Sequence, residues 1–290
     1  MSKPFKSQFG AGDPIMNRLR LIKHVALDMD GTVYRSGNLF EFTNWFLAWL
    51  TELGIAYTFL TNNSARSVKG HLAHLRRLGV KVAGAQLLTS TQATVDHLQQ
   101  EMTAVRKVFV LGTTSMREEI TAAGYTVTSD SATDEPDAVV VGFDTGLSFA
   151  RLCRAAWWIN RGKPYLASHP DYVCPTATPT VLVDCGSICA ALQAATGRVP
   201  DVTLGKPAAW MLQGLLQRTA LQPQELAMVG DRLYTDMAMA SCAGVLGVLV
   251  LTGETTAAEA AQHQPPPDLV VKNLAELGEQ FRIARAGMLF

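Results

Sequence analysis

The sequence predicts an α/β fold built on a mainly parallel sheet. Three observations predict it. Short β-rich runs alternate with amphipathic stretches, which is the rhythm of βαβ units. The chain has 290 residues, of which 48% are hydrophobic and 17% charged, enough apolar material for a sizeable core. The length is that of about two domains, or one large one, and the alternating rhythm falls into more than one block.

The elements are read in order. Residues 1–24 hold five Lys/Arg and one Asp and no apolar secretory segment, so a solvated, partly disordered arm is expected. Val25–Met29 and Tyr57–Leu60 read as strands, with a helix over Phe42–Leu53 that places Phe42, Trp45, Phe46 and Leu50 on one face. A second helix is expected over Ala65–Leu78, then a strand at Leu87–Leu88 and a helix from Thr91 to Glu101. The second block has strands Val108–Leu111, Val139–Val141 and Tyr165–Ala167, with helices near Ser115–Ala123 and Ser148–Asn160; Trp157 and Trp158 are assigned to its core. Ser168–Val183 reads as a loop with a short strand at its end. The rhythm resumes with Val202–Leu204, a helix over Ala208–Arg218, strand Leu226–Val229, a helix near Thr235–Ala243, strands Val248–Leu251 and Leu269–Val271, and a closing helix.

Composition excludes several classes. Lys plus Arg and Asp plus Glu are both 25, so the basic excess of a nucleic-acid binder is missing. The apolar run Val245–Leu251 is far shorter than the roughly 18 residues of a membrane span. Five cysteines, an odd number with no CxxC pair, argue against a zinc site or a disulfide framework and for reduced thiols in the cytoplasm. The first βα turn lacks the G-x-G-x-x-G of a dinucleotide-binding fold.

Chemistry is expected where apolar strands run into polar residues, because open α/β sheets bind ligands beyond the carboxyl ends of their strands. Val25-Ala-Leu-Asp-Met-Asp-Gly-Thr32 delivers Asp28 and Asp30 there, and Gly31 permits the turn that lets both approach one point. An ordinary acidic turn is the alternative. Phe59-Leu-Thr-Asn-Asn-Ser64 offers the Thr61 hydroxyl and backbone N–H groups to an anion, or Asn63 and Ser64 as helix caps. Leu204-Gly-Lys206-Pro207 puts a lysine between a strand and a helix start, or simply on the surface. Ala227-Met-Val-Gly-Asp231 repeats the strand-then-acid pattern, with Asp236 following. Magnesium takes oxygen ligands of this kind, one or two carboxylates at a time.

In this order, Asp28-x-Asp30-Gly-Thr32, Thr61, Lys206, and Gly230-Asp231 with Asp236 resemble the four motifs of haloacid dehalogenase superfamily phosphohydrolases. Leu60-Thr-Asn-Asn-Ser64, Val139-Val-Val-Gly-Phe-Asp144, Gly186-Ser-Ile188 and Val229-Gly-Asp-Arg-Leu-Tyr-Thr-Asp236 resemble the p-nitrophenylphosphatase-type branch, the type with a large α/β cap. The resemblance implies a doubly wound Rossmann-like core over 1–100 and 201–290 and an α/β cap over 101–200. It implies a magnesium-dependent phosphatase acting on small phosphomonoesters such as sugar phosphates, nucleotides or p-nitrophenyl phosphate. Asp28 is the implied nucleophile and Asp30 the implied acid and base. Asp28, Asp30 and Asp231 are the implied metal ligands, Asp30 through its carbonyl, with Asp236 orienting Lys206 or a metal-bound water. Thr61, Asn62 and Lys206 are the implied phosphate clamp. His169 and Asp171, in the loop Ser168–Pro175, are candidates for substrate selection or for structuring that loop. The implied partner is a small phosphorylated metabolite, with no nucleic acid and no membrane, and a homodimer is left open. Two other readings stay open at this point: a phosphotransferase or mutase of the same superfamily, and a binding protein with a retired active site.

Overall fold

The computed structural model describes residues 13–174 and 179–286. By contacts the chain forms two units, one from its first 59 residues, Leu78–Val80 and Leu215–Phe290, the other from Leu60–Arg77 and Lys81–Gly214.

In the first unit the strands Leu269–Val271, Leu246–Val250, Leu226–Gly230 and His24–Asp28 pair in parallel in that order. Ala56–Thr61 is next in the order, and its residues through Phe59 count with this unit. Three of these strands are buried at every position, as near-continuous apolar runs in a parallel sheet require. The register sets Leu27 opposite Val229, so Asp28 and Gly230 are the next residues on the two strands and Asp231 follows immediately. Parallel pairing thereby brings two acids that are far apart in sequence to one edge.

The second unit has its own parallel sheet, ordered Val202–Thr203, Tyr165–Ala167, Ala138–Val141, Lys107–Leu111, Thr126–Val127. Its faces alternate with period two. Phe109, Leu111, Val139 and Val141 pack with Trp158, Ile159, Ile188 and Leu192 on one side. Val108, Val110, Val140 and Leu166 pack with Met116, Ile120 and Leu204 on the other.

Several expectations need correction. Residues 1–12 of the predicted arm lie outside the described residues, but Pro14–Leu21 is a helix. Asp13 caps it by accepting from the Ile15 N–H at 2.8 Å, Pro14 opens it, and Ile15, Met16 and Leu19 are buried. An Asp-Pro start before an apolar stripe was the signal. In Thr43–Glu52 the buried stripe is Thr43, Phe46, Leu47 and Leu50; Trp45 lies outside it and packs against Trp49 instead, rings tilted by 41° with centres 3.7 Å apart. Trp158 is buried, but Trp157 is exposed, with the Arg161 guanidinium over its ring. Cys185–Thr196 is a helix that the periodic reading passed over. Asp184 caps it, Gly197 ends it at positive φ, and Cys185, Ile188, Cys189 and Leu192 make the spacing of one buried face. The loop after Ala167 carries a two-stranded antiparallel hairpin, Val173–Cys174 with Leu182–Val183. Ala257–Gln262 is a further short helix with a Thr256 cap. Pro207 does not start the following helix, which spans Trp210–Thr219. Among the described residues no helix is long and apolar enough to cross a membrane.

Candidate active site

In the first unit Asp28, Asp231 and Asp236 come together. Each offers one carboxylate oxygen, and these three lie within 4.8 Å of one another. All three residues are buried. Asp28 and Asp231 reach the cluster from neighbouring strand ends. Asp236 reaches it from a π-helical turn, Leu233–Met237, that precedes the helix Ala238–Ala243. The sequence reading expected a plain helix here. The wider turn folds Asp236 back, and its Oδ2 accepts from the Arg232 N–H at 3.1 Å.

The space around these acids is kept open by glycine. Gly31 sits at φ +89°, and a Cβ there would overlap the Asp231 carboxylate. A Cβ at Gly253 would overlap the same carboxylate, and one at Gly230 would overlap Asp236. The segment 252–255 is a part of the site that the sequence reading missed. The Glu254 N–H donates to Asp231 Oδ2 at 2.7 Å, and the Thr252 hydroxyl donates to the Gly31 carbonyl at 2.5 Å. The signal was available, because Leu246–Val250 is another buried strand that runs into polar residues, Thr252-Gly-Glu-Thr255.

Asp231 Oδ1 is buried and has no hydrogen-bond partner among the described residues. Burial first, then the Asp28 and Asp236 charges, push the Asp231 carboxyl up to about 7, against the pull of the Glu254 N–H and Arg232. Asp30 presents surface to solvent, but desolvation of its carboxyl and then the Asp28 charge raise its pKa, with Arg232 opposing. An unpartnered buried oxygen among three converging carboxylates fits a hard divalent cation, which takes an all-oxygen donor set. The same crowding predicts a stability effect. An acid whose folded pKa is raised costs stability as pH climbs from its unfolded value, about 4, through its folded value, about 7 here. In metal-stripped protein, Asp231→Asn is therefore expected to raise stability by on the order of 2 kcal/mol at pH 8. Its advantage over wild type should vanish near pH 4. Thermal melts of both proteins across that range in EDTA check this; a constant difference would contradict it.

In the second unit Asn62, Lys206 and the loop residue Asp171 lie in one hydrogen-bonded network, and Thr61 makes a separate local bond. Thr61 Oγ1 accepts from the Asn63 N–H at 3.1 Å. The Asn62 carboxamide accepts from the Lys206 N–H at 2.8 Å and donates to the Lys206 carbonyl at 3.0 Å. It also donates to Asp171 Oδ2 at 3.1 Å. Neither cap expectation for this segment holds. Asn63 Oδ1 accepts from the Ala65 N–H, and the Ser64 hydroxyl accepts from the Phe143 N–H. The helix Val68–Arg77 is capped instead by Ser67, whose hydroxyl accepts from the Gly70 N–H. His169 has no exposed surface, and both of its ring nitrogens are engaged, Nδ1 with the Ser168 hydroxyl at 2.8 Å and Nε2 with Asp184 Oδ1 at 2.9 Å. That is the loop-structuring alternative for His169, since no ring nitrogen is left for a substrate. None of the five cysteines is in a disulfide.

A haloacid dehalogenase-like hydrolase model matches residues 25–126, and a second, HAD-hydrolase-like model matches 203–277. The solved structure of a 4-nitrophenylphosphatase from Thermotoga maritima superposes with a TM-score of 0.85 at 37% identity, covering 90% of this chain and 98% of its own. The chain belongs to the haloacid dehalogenase-like hydrolases. An acid sugar phosphatase of Staphylococcus aureus is 26% identical over 258 residues, 89% of this hydrolase and 97% of the relative. A glycerol phosphate phosphatase from Mycobacterium tuberculosis, solved in complex with magnesium, superposes at a TM-score of 0.83 and 29% identity over 92% of this hydrolase and 80% of that chain. The hydrolase is thus a phosphatase, a phosphoric monoester hydrolase of the branch that includes the p-nitrophenylphosphatases. It is an enzyme class that uses a divalent metal, and the three-carboxylate cluster fits one. The retired-binding-protein reading is set aside by this membership.

Proposed function

We propose that the protein is a magnesium-dependent phosphatase that hydrolyses small phosphomonoesters, sugar phosphates, nucleotides or p-nitrophenyl phosphate among them, through an aspartyl-phosphate. The observation that carries the reading is the convergence of Asp28, Asp231 and Asp236 at the ends of paired parallel strands. Asp28 and Asp231, with the Asp30 carbonyl, would hold the ion, and Asp236 would support it. When bound, the ion offsets the repulsion between a carboxylate nucleophile and an anionic substrate and stabilises charge on the transferring phosphoryl group.

Asp28 attacks phosphorus, the bond from phosphorus to the ester oxygen breaks, and the Asp30 carboxyl delivers its proton to the leaving oxygen. Desolvation and then the Asp28 charge raise its pKa, the direction that favours a proton donor. Asp30 then takes a proton from water, which attacks the acyl phosphate, frees inorganic phosphate and restores Asp28. Thr61, the Asn62 backbone and Lys206 bind phosphoryl oxygens, with the lysine ammonium as the fixed cation. Residues 1–100 and 201–290 are assigned to the catalytic core and 101–200 to the cap. A separate parallel sheet from Lys107 onward supports an inserted unit, although its edge strand Val202–Thr203 lies past residue 200. The cytoplasm is the proposed compartment, in keeping with cysteines that form no disulfide.

A panel of phosphomonoesters with magnesium, ranked by kcat/KM, tests the function. Release of inorganic phosphate that is unchanged by an added acceptor alcohol fits hydrolysis. Transfer of the phosphoryl group to that alcohol as the main product would establish the phosphotransferase alternative instead.

A further inference from the structure

The Asn62 carboxamide has a small, complete set of partners. Oδ1 takes the Lys206 N–H, one Nδ2 proton goes to the Lys206 carbonyl, and the other goes to Asp171 Oδ2. The Lys206 peptide groups fix the amide orientation: an N–H must face oxygen and a carbonyl must face the NH2. Asn62 is buried, and its own carbonyl is held by the Ser90 hydroxyl at 2.7 Å, which anchors the clamp to a second element. Gly205, just before the lysine, leaves room for it, since a Cβ there would crowd Asn62 Oδ1 and Ser168 O. Asp171 is itself tethered, because its backbone carbonyl accepts from the Gly186 N–H at 2.8 Å at the start of the helix Cys185–Thr196.

We infer that the Asn62 side chain and Asp171 are positioning residues for Lys206: the carboxamide grips the lysine backbone on both sides, and Asp171 holds the carboxamide in the one orientation that can do so. In this arrangement the Asn62 carboxamide is engaged by protein partners and Asp171 Oδ2 by the carboxamide, which favours a positioning role for Asp171 over substrate selection. The inference rests on the proposed role of Lys206 as phosphate clamp.

The reading has a signature of its own. A device that sets the lysine acts on the phosphoryl group common to all substrates, whereas a residue that selects the leaving group acts differently on each ester. Asp171→Ala, Asp171→Asn, Asn62→Asp and Lys206→Ala are each assayed with 4-nitrophenyl phosphate and glycerol phosphate. Thermal melts and inhibition by inorganic phosphate are recorded for each variant.

Asp171→Ala is expected to lower kcat/KM about 10-fold for both esters alike and to weaken phosphate inhibition by a similar factor. Asp171→Asn, whose Oδ1 can still accept from Asn62 Nδ2, should recover most of that loss. Asn62→Asp, which sets carboxylate oxygens against two acceptors, should lose about 100-fold or more. If that buried variant fails to fold, the two Asp171 variants decide. Unchanged kinetics in Asp171→Ala, equal damage from Asn and Ala at 171, or a loss that differs strongly between the esters would overturn the inference. Lys206→Ala separates the two levels. Full activity in that variant would sink the phosphate-clamp reading, whereas a large loss there with none in Asp171→Ala would sink only the positioning role.

Discussion

Asp28→Asn is expected to lower kcat by roughly 10⁴-fold while leaving the fold intact. The side chain changes by one atom, and an amide oxygen can still accept from the Thr32 hydroxyl, which stands 3.4 Å from Asp28 Oδ2. What it removes is the charged oxygen that would bond to phosphorus. It also removes one of three negative charges confined within 4.8 Å, so metal-stripped Asp28→Asn should melt no lower than wild type. Both readings come from one preparation, by initial rates with 4-nitrophenyl phosphate and by a melt in EDTA. Near-normal magnesium-dependent turnover by this variant would remove the nucleophile assignment.

Chelation should also silence the enzyme. After exhaustive EDTA dialysis the activity is expected to fall to about 1% or less, and millimolar magnesium should restore it. Two unfavourable arrangements would otherwise stand uncorrected. The buried Asp231 Oδ1 has no other partner among the described residues, and the cluster repels the phosphate dianion it must meet. The same ion should stabilise the fold by mass action, by about 2.7 kcal/mol at a concentration 100 times its Kd. Full turnover in metal-free buffer, or a melting temperature that magnesium leaves unmoved, would count against the metal role.

The acids were legible because each follows a buried apolar run, and a parallel sheet collects the ends of such runs. Asp28 and Asp231 needed no more than that rule, and the Asp28-x-Asp30-Gly31-Thr32 spacing added the resemblance. Other parts depend on register between distant segments, which no local pattern encodes. The Glu254 N–H on Asp231 and the Asn62 grip on Lys206 are of this kind. The π-helical turn before Ala238 was hidden for the same reason, since its wider hydrogen bonding shows in no local propensity. Cys185–Thr196 was hidden by composition instead, because Gly186, Ser187 and a run of alanines dilute its apolar stripe. Trp45 and Trp157 show the converse: helical spacing put Trp45 on the buried face and Trp157 was assigned to the core, but both are exposed, at the margin of their helices' buried stripes.

The split of the chain also bears on its synthesis. The strand His24–Asp28 leaves the ribosome early, but its partner Leu226–Gly230 is made about two hundred residues later. The second unit, by contrast, is complete once Gly214 has been added. Its sheet can therefore assemble on the nascent chain while His24–Asp28, with Ala56–Thr61 on one side, still lacks Leu226–Gly230 on the other. During that interval one edge of Val25, Ala26 and Leu27 stays open, the kind of apolar edge that can pair wrongly.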